Sequence, residues 1–171
     1  MTLTELGWRQ FFQSQTSLAD WETLRPARVM SIERSVVGLC SETGNHTAEL
    51  ELRWQQAPHE QRPTVGDWVL VDNIDLPQKL LERQSVFKRK AAGDRAEVQL
   101  IGANVDTLFV VSSCNMDFNL SRLERYLALA LDAGVLPVLV LTKADVGDAA
   151  TYIDEARALR ADLDVIAVNS L

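Results

Sequence analysis

Residues 135–145 read Val-Leu-Pro-Val-Leu-Val-Leu-Thr-Lys-Ala-Asp, an apolar run that ends abruptly in four residues of different chemistry. A short run that is apolar at almost every position is typical of a strand buried on both faces of a parallel sheet. The longest apolar stretch, Gly134–Leu141, is far shorter than the roughly 18–20 residues that a membrane span needs. The sequence therefore predicts a buried strand here and excludes a transmembrane helix.

The segments on both sides of this strand alternate between strand and helix patterns. We predict strands over Val105–Val111 and Val165–Val168, and helices over Leu120–Ala133 and Asp148–Ala161. Ser121 and Glu124 match a capping box at the start of the first helix. Alternating strands and helices indicate an α/β domain. Because three strands make a small sheet, we expect residues 99–171 to be the first part of a larger domain.

The upstream sequence has the pattern of short strands separated by turns. The strand-like runs are Arg28–Cys40, His46–Trp54, Asp67–Val71 and Lys79–Lys90. Turn-forming residues lie between them, at 42–45 and 63–66. Short strands at this spacing fit a small closed barrel of OB-fold size. We therefore predict a helical extension over residues 1–25 and an OB-fold over residues 26–98.

The net charge of -7 argues against nucleic-acid binding through the whole surface, because such binding needs basic side chains at phosphates. Residues 81–100 are the one stretch in which basic side chains outnumber acidic ones, five to three. The basic residues are Arg83, Lys88, Arg89, Lys90 and Arg95. Any contact with RNA must then be local, and the alternative is that this stretch is a solvated linker.

The cysteines and histidines do not have the spacing of metal ligands. Cys40 and Cys114 are far apart, and neither His46 nor His59 has a nearby cysteine. We expect two reduced, buried thiols, two surface histidines and no metal site in this chain. The first residues lack the basic and apolar regions of a secretory signal, so we expect a cytoplasmic protein.

The four residues after the buried strand, Thr142-Lys143-Ala144-Asp145, fit the [Asn/Thr]-Lys-x-Asp guanine-specificity motif of GTP-binding proteins. Ligands of open α/β sheets bind beyond the carboxyl ends of the strands, where this motif lies. A carboxylate accepts two hydrogen bonds from guanine, at N1–H and the 2-amino group, and adenine offers neither donor there. Lys143 would lay its aliphatic stem along the base, and Thr142 would tie the loop to a phosphate-binding segment.

Two observations limit this interpretation. Thr142 and Asp145 are also residue types that cap a helix or turn a chain, which is the alternative hypothesis. The sequence contains no Gly-x-x-x-x-Gly-Lys-[Ser/Thr] segment, which would cradle phosphates and supply the lysine and the Mg²⁺ ligand for phosphoryl transfer. We therefore expect no GTP hydrolysis by this chain alone. A permuted order of motifs would explain why the guanine motif comes first.

Several segments together resemble one protein family. They are Arg89–Gly93, Gln99–Asp106, Asp117–Leu120, Leu123–Leu127 and Val140–Asp145, with Gly66–Val69 in the strand region. These segments are similar to those of the ribosome small-subunit-dependent GTPase A family, and the resemblance covers residues 26–171. It implies a circularly permuted GTPase in which the phosphate loop and a zinc-binding domain follow the guanine motifs.

The resemblance implies a role for particular residues. Thr142, Lys143 and Asp145 would bind guanine, and Asn169 with Ser170 would stand in for the family's Ser-Ala-like loop. The OB-fold would contact ribosomal RNA, for which Lys88, Arg89, Lys90 and Arg95 have the right charge. Trp68 would either stack on a base or lie in the core.

The resemblance also implies an activity and partners. The whole protein would be a monomer that binds and hydrolyses GTP with Mg²⁺ during late maturation of the small ribosomal subunit. Its catalytic residue and its zinc would lie outside this chain. The alternative is an OB-fold module, joined to a degenerate α/β half, that binds RNA or a protein without nucleotide.

Overall fold

The polypeptide forms two units, Met1–Asn104 and Val105–Leu171, in the computed structural model, which describes residues 1–90 and 98–169. The elements of the first unit are α1 (Gln10–Gln13), α2 (Leu18–Thr23), β1 (Arg25–Glu33), β2 (Val36–Ser41), β3 (Gly44–Glu49), α3 (Leu52–Gln56), a 3₁₀ turn (His59–Gln61), β4 (Trp68–Val71), β5 (Pro77–Leu80), β6 (Val86–Lys90) and β7 (Val98–Ala103). Those of the second unit are β8 (Thr107–Ser113), α4 (Leu120–Asp132), β9 (Leu136–Thr142), α5 (Ala149–Leu159) and β10 (Asp164–Ala167).

The first five strands form one antiparallel sheet with the order β3-β2-β1-β4-β5. One face of this sheet holds an apolar core made of Ala27, Val29, Val37, Leu39, Ala48, Leu50, Val69 and Val71. We predicted a closed barrel. Among the described residues no ladder joins β3 to β5, so the hydrogen-bonded sheet itself does not close.

The N-terminal segment packs against the outer face of this sheet. Along β4 the side chains alternate, so Val69 and Val71 face the inner core while Trp68 and Leu70 face the N-terminal residues. The ring centroids of Trp8 and Trp68 are 4.8 Å apart. Trp68 is fully buried, so it belongs to the core and is not available to stack on a base.

Several predicted strands are shorter than expected. The run Arg28–Cys40 is two strands, because Arg34 takes a positive φ of 57° and turns the chain. The run His46–Trp54 ends as a strand at Glu49 and continues as α3. The run Lys79–Lys90 is also two strands. The predicted turn at 42–45 is confirmed, with Gly44 at a φ of 114°.

β6 and β7 form a separate two-stranded antiparallel ribbon, which we call the basic ribbon because it carries Lys88 and Arg89. The pairing of these strands places Val98–Ala103 in the first unit. The division therefore falls after Asn104, six residues later than the predicted boundary between 98 and 99. Residues 1–25 likewise belong to the first unit, although we expected a separate extension.

The second unit has the predicted strand–helix–strand–helix–strand order. Its three strands are parallel, in the order β10-β9-β8. The first helix of this unit begins at Leu120, as predicted, but the predicted capping box of Ser121 and Glu124 is wrong, because the capping residue lies two positions before Ser121. The side chain of Asn119 caps the helix and accepts a hydrogen bond from the backbone N–H of Arg122 (2.9 Å).

The two helices of this unit contact each other and cover one face of the sheet. Val110, Leu123, Leu127, Leu139, Leu141 and Ala156 form the core between them. On the strands, Phe109, Val111, Leu136 and Ile166 are 49–63% exposed. None of the described helices is long and apolar enough to cross a membrane.

Both cysteines are buried and unpaired, as predicted. His59 is exposed, but the prediction of a surface residue is wrong for His46. The His46 side chain is 19% exposed, and its Nε2 lies 2.9 Å from the Ser41 hydroxyl. Its Nδ1 lies 3.4 Å from a carboxylate oxygen of Asp75, so this ring joins the β2–β3 hairpin to the β4–β5 turn.

Candidate functional site

The candidate nucleotide site lies at the carboxyl edge of the parallel sheet. The ladders place Ser113 beside Thr142 and Ala167 beside Leu141. The segments that follow β8, β9 and β10 therefore leave the sheet at the same edge. Ligands of open parallel sheets bind at this edge.

Thr142 ties the end of β9 to the end of β8. Its hydroxyl donates to the carbonyl oxygen of Ser112 (3.1 Å), and its own carbonyl accepts from the backbone N–H of Cys114 (2.9 Å). We expected the hydroxyl to hold a phosphate-binding segment. In this structure it holds the neighbouring strand end and fixes where the motif begins.

Lys143 has a strained backbone. Its φ is 55°, a left-handed conformation that is unfavourable for a side chain with a β-carbon. The carbonyl of Lys143 accepts from the N–H of Val146 (3.1 Å), and the N–H of Ala144 reaches the carbonyl of Val168 (3.4 Å). The loop is thus held between the ends of β9 and β10, and the Lys143 side chain is exposed.

Asp145 lies on the surface of this loop with its carboxylate available. Within residues 1–90 and 98–169, no hydrogen bond or ion pair engages it. The alternative that Thr142 or Asp145 caps the next helix is wrong. That role belongs to Asp148, whose carboxylate accepts from the backbone N–H of Ala150 (3.2 Å). The Asp145 carboxylate can therefore accept hydrogen bonds from a ligand.

Asn169 follows β10 at the same edge and is exposed. The backbone N–H of Val168 donates to the carbonyl of Leu141 (2.8 Å), which continues the pairing beyond β10. Thr142, Lys143, Asp145 and Asn169 are thus carried by neighbouring strand ends. Ser170 lies outside the described residues.

Sequence reasoning missed three residues that shape this site. Ser112 supplies the acceptor for Thr142, and Cys114 supplies the donor. A β-carbon on Gly147 would lie 2.7 Å from the carbonyl oxygen of Cys114, so this position needs a glycine. Burial raises the pKa of the Cys114 thiol, which keeps it protonated at neutral pH. The parallel register that brings these residues to the motif is not visible in the sequence.

A second candidate site is the basic ribbon of the first unit. Both Lys88 and Arg89 are exposed. The ammonium of Lys88 donates to a carboxylate oxygen of Glu60 (2.6 Å), and Nε of Arg89 donates to the side-chain oxygen of Gln99 (2.9 Å). Two more predicted RNA contacts, Arg95 and the side chain of Lys90, lie outside the described part of the structure.

Arg83 differs from the other basic residues of its stretch, because it is not part of a solvated linker. Its guanidinium donates to both carboxylate oxygens of Asp67, at 2.8 and 2.7 Å, and Asp67 is fully buried. Burial raises the pKa of Asp67 and outweighs the opposing effect of Arg83.

No metal centre is formed by the part of the chain that the structure describes. That part contains no group of three or more His, Cys, Asp or Glu side chains able to hold an ion. The described residues therefore offer no cluster of three such ligands to a zinc ion.

Comparison with known proteins gives one family and a set of relatives. A family model described as RsgA GTPase matches residues 80–170. A Vibrio vulnificus protein named small ribosomal subunit biogenesis GTPase RsgA 2 is 50% identical over 173 residues, covering 99% of this chain and 47% of that protein. A Mesorhizobium japonicum protein named small ribosomal subunit biogenesis GTPase RsgA is 45% identical and covers 98% and 47%. The chain spans about half the length of the curated relatives it matches.

Two crystal structures have a similar fold at low sequence identity. YjeQ from Thermotoga maritima has a TM-score of 0.65 and 18% identity, over 85% of this chain and 52% of that one. YloQ, described as a circularly permuted GTPase, has a TM-score of 0.62 and 18% identity, over 86% and 52%. The likeness concerns the fold alone.

Proposed function

Because this chain belongs to the RsgA GTPase family, we propose that it is the N-terminal portion of a GTP-hydrolysing factor for late maturation of the small ribosomal subunit. Its relatives are named for biogenesis of that subunit. The observation that carries the nucleotide part of the proposal is the exposed, unengaged carboxylate of Asp145 at the carboxyl edge of a parallel sheet. We further propose a cytoplasmic monomer.

Guanine recognition would rest on the loop after β9. The Asp145 carboxylate would accept from N1–H and the 2-amino group of guanine, and Lys143 would cover the base with its stem. Thr142 would position the loop through its bond to Ser112. Asn169 and Ser170 would present backbone N–H groups to the guanine O6 atom.

Hydrolysis would require groups that this sequence lacks. The 171 residues contain no phosphate-cradling loop, so this chain alone would not hydrolyse GTP. Mg²⁺ would enter with the nucleotide phosphates, which supply much of its coordination in such enzymes. Zinc would belong to a further domain of the longer protein.

RNA binding would rest on the first unit, which we propose to be an OB-fold. Three observations support this assignment: the meander of β1–β3, the helix α3 that follows it, and the pairing of β1 with β4 in front of the β4–β5 hairpin. The basic ribbon, with Lys88 and Arg89, would meet the phosphates of ribosomal RNA, together with Lys90 and Arg95.

The guanine assignment can be tested on the 171-residue chain with the variant Asp145→Asn. An asparagine amide donates where the aspartate accepts, which suits the 2-oxo group of xanthine and opposes the 2-amino group of guanine. We expect wild type to bind GDP at least about tenfold more tightly than XDP, and Asp145→Asn to reverse the order, since hydrogen bonds to a charged group contribute about 1.5–3 kcal/mol. NMR chemical-shift titration resolves binding that is weak.

Asp148→Asn is the matched control, because it changes the neighbouring carboxylate that caps α5. It should leave the preference for guanine unchanged. Equal binding of GDP, XDP and ADP by wild type would contradict the proposal and favour an OB-fold module that binds RNA or a protein without nucleotide.

A further inference from the structure

The two basic side chains that the structure describes on the ribbon have different partners. Lys88 donates to a carboxylate of Glu60 at 2.6 Å, in a pair whose side chains are 46% and 53% exposed. Arg89 donates to the neutral amide of Gln99. Within the part of the chain that the structure describes, a carboxylate therefore neutralises the charge of Lys88, and none is paired with Arg89.

Glu60 is held in place from the core. It lies in the 3₁₀ turn, and its backbone carbonyl accepts a hydrogen bond from the Arg83 guanidinium. The same guanidinium donates to the carbonyl of Arg62 (2.6 Å) and to the buried carboxylate of Asp67. This buried anchor sets the position of the turn, and with it the place where the Glu60 carboxylate meets Lys88.

A nucleic-acid phosphate and the Glu60 carboxylate need the same ammonium group. The pair is exposed, and exposed pairs contribute little to stability, so a phosphate can displace the carboxylate. The hydrogen bond from Lys88 lowers the pKa of Glu60, which keeps the carboxylate charged at neutral pH. A phosphate that binds Lys88 must therefore first break this ion pair, so its binding is weaker than binding to an unpaired ammonium.

We propose that Glu60 masks Lys88 in the unbound protein and must release it to an RNA phosphate, so that this one carboxylate weakens and tunes the affinity of the basic ribbon for RNA. The proposal rests on the RNA-binding role proposed above. It makes Glu60 a residue that sets affinity through Lys88 without contacting the RNA.

The test is fluorescence anisotropy of a labelled 20-nucleotide RNA hairpin with the 171-residue chain and its variant Glu60→Gln. We expect the variant to bind about three- to tenfold more tightly at 50 mM KCl, with a gain that shrinks by 300 mM KCl as salt screens the charges. Glu51→Gln is the matched control, because it removes the same charge from another exposed pair, Glu51 with Arg53. It should change affinity less than twofold.

The double variant Lys88→Gln/Glu60→Gln separates masking from net charge. If Glu60 acts through Lys88, the gain disappears in the Lys88→Gln background. An equal gain in RNA affinity from Glu51→Gln, or a gain that persists without Lys88, would contradict the masking proposal. Neither result would contradict RNA binding by the ribbon. RNA binding by wild type with no gain from Glu60→Gln would also contradict the masking proposal. If neither wild type nor Glu60→Gln binds at 25 mM KCl, the RNA-binding role itself fails, and the mask with it.

Discussion

Lys143 shows how a single residue shapes the loop after β9, which we propose to bind guanine. A lysine in the left-handed region costs roughly 1 kcal/mol or more. Lys143 keeps this conformation because backbone hydrogen bonds hold the loop on both sides of it. Those bonds join the loop to the carbonyl of Val168 and close a turn at Val146. The strained residue lets the chain leave β9 and present Asp145 at the edge of the sheet.

This strain gives a prediction about stability. Lys143→Val should lower the free energy of unfolding by about 1–2 kcal/mol relative to Lys143→Asn, because asparagine tolerates the left-handed region and a β-branched residue does not. Both variants lose the amine, so the loss of an amine contact does not contribute to their difference. Urea unfolding followed by circular dichroism measures it. Equal stability of the two variants would show that the loop takes another conformation in solution.

The position of the loop after β9 was predictable from the sequence, but the residues that this loop contacts in the fold were not. A Thr-Lys-x-Asp segment after a buried strand indicates a guanine loop because of what those side chains can donate and accept. Nothing local distinguishes Asp145 from Asp148 as the helix cap. The choice depends on how the loop passes Cys114, where Gly147 permits a close approach. That contact arises from the parallel register of β8 and β9.

At the scale of elements, the pair of Asp67 and Arg83 connects the start of β4 to the segment before the basic ribbon. Asp67 also accepts from the backbone N–H of Thr64 (2.7 Å), so both of its carboxylate oxygens have hydrogen-bond donors. No part of Asp67 is exposed. Burying a charge is costly, and removal of one partner leaves the other unpaired.

Arg83→Met should therefore destabilise the first unit by about 3–5 kcal/mol at pH 7. Asp67 has a pKa raised above its unfolded value of 3.8, and the loss of Arg83 raises it further. A raised carboxyl pKa means that the folded state binds the proton more tightly, so the destabilisation should shrink as pH falls through the folded pKa toward 3.8. Urea unfolding at several pH values measures this.

The double variant Asp67→Leu/Arg83→Met removes both charges and is the control. It should recover much of the loss and remove this pH dependence. If Arg83→Met lowered the free energy of unfolding by the same amount at every pH, an unpaired Asp67 carboxylate would not be the cause.

Element order was predictable where the apolar pattern is strong, and boundaries were not. The second unit has long runs with a clear period, and all five of its elements were predicted. In the first unit, Arg34 is not a typical turn residue, so the hairpin between β1 and β2 was hidden inside one strand-like run. The boundary between units was misplaced because β7 pairs with β6 of the first unit and not with the parallel strands that follow it.

At the scale of the whole molecule, each of the two units carries one proposed ligand site. The basic ribbon concentrates positive charge in a chain whose net charge is -7. The proposed guanine loop would offer base contacts at one edge of the sheet, and the sequence holds no phosphate-cradling loop beside them. Nucleotide affinity should therefore come from the base alone.

We expect the 171-residue chain to bind guanine nucleotides weakly and independently of their phosphates. A few hydrogen bonds in a wet cleft should give GDP a dissociation constant on the order of 1 mM, which corresponds to about -4 kcal/mol. Guanosine should bind as tightly as GDP within about threefold, since the phosphates would find no dedicated donors. NMR titration with the two ligands compares them directly, with adenosine as the control for base specificity. Micromolar binding of GDP, or a large preference for GDP over guanosine, would show that these 171 residues hold a phosphate site of their own.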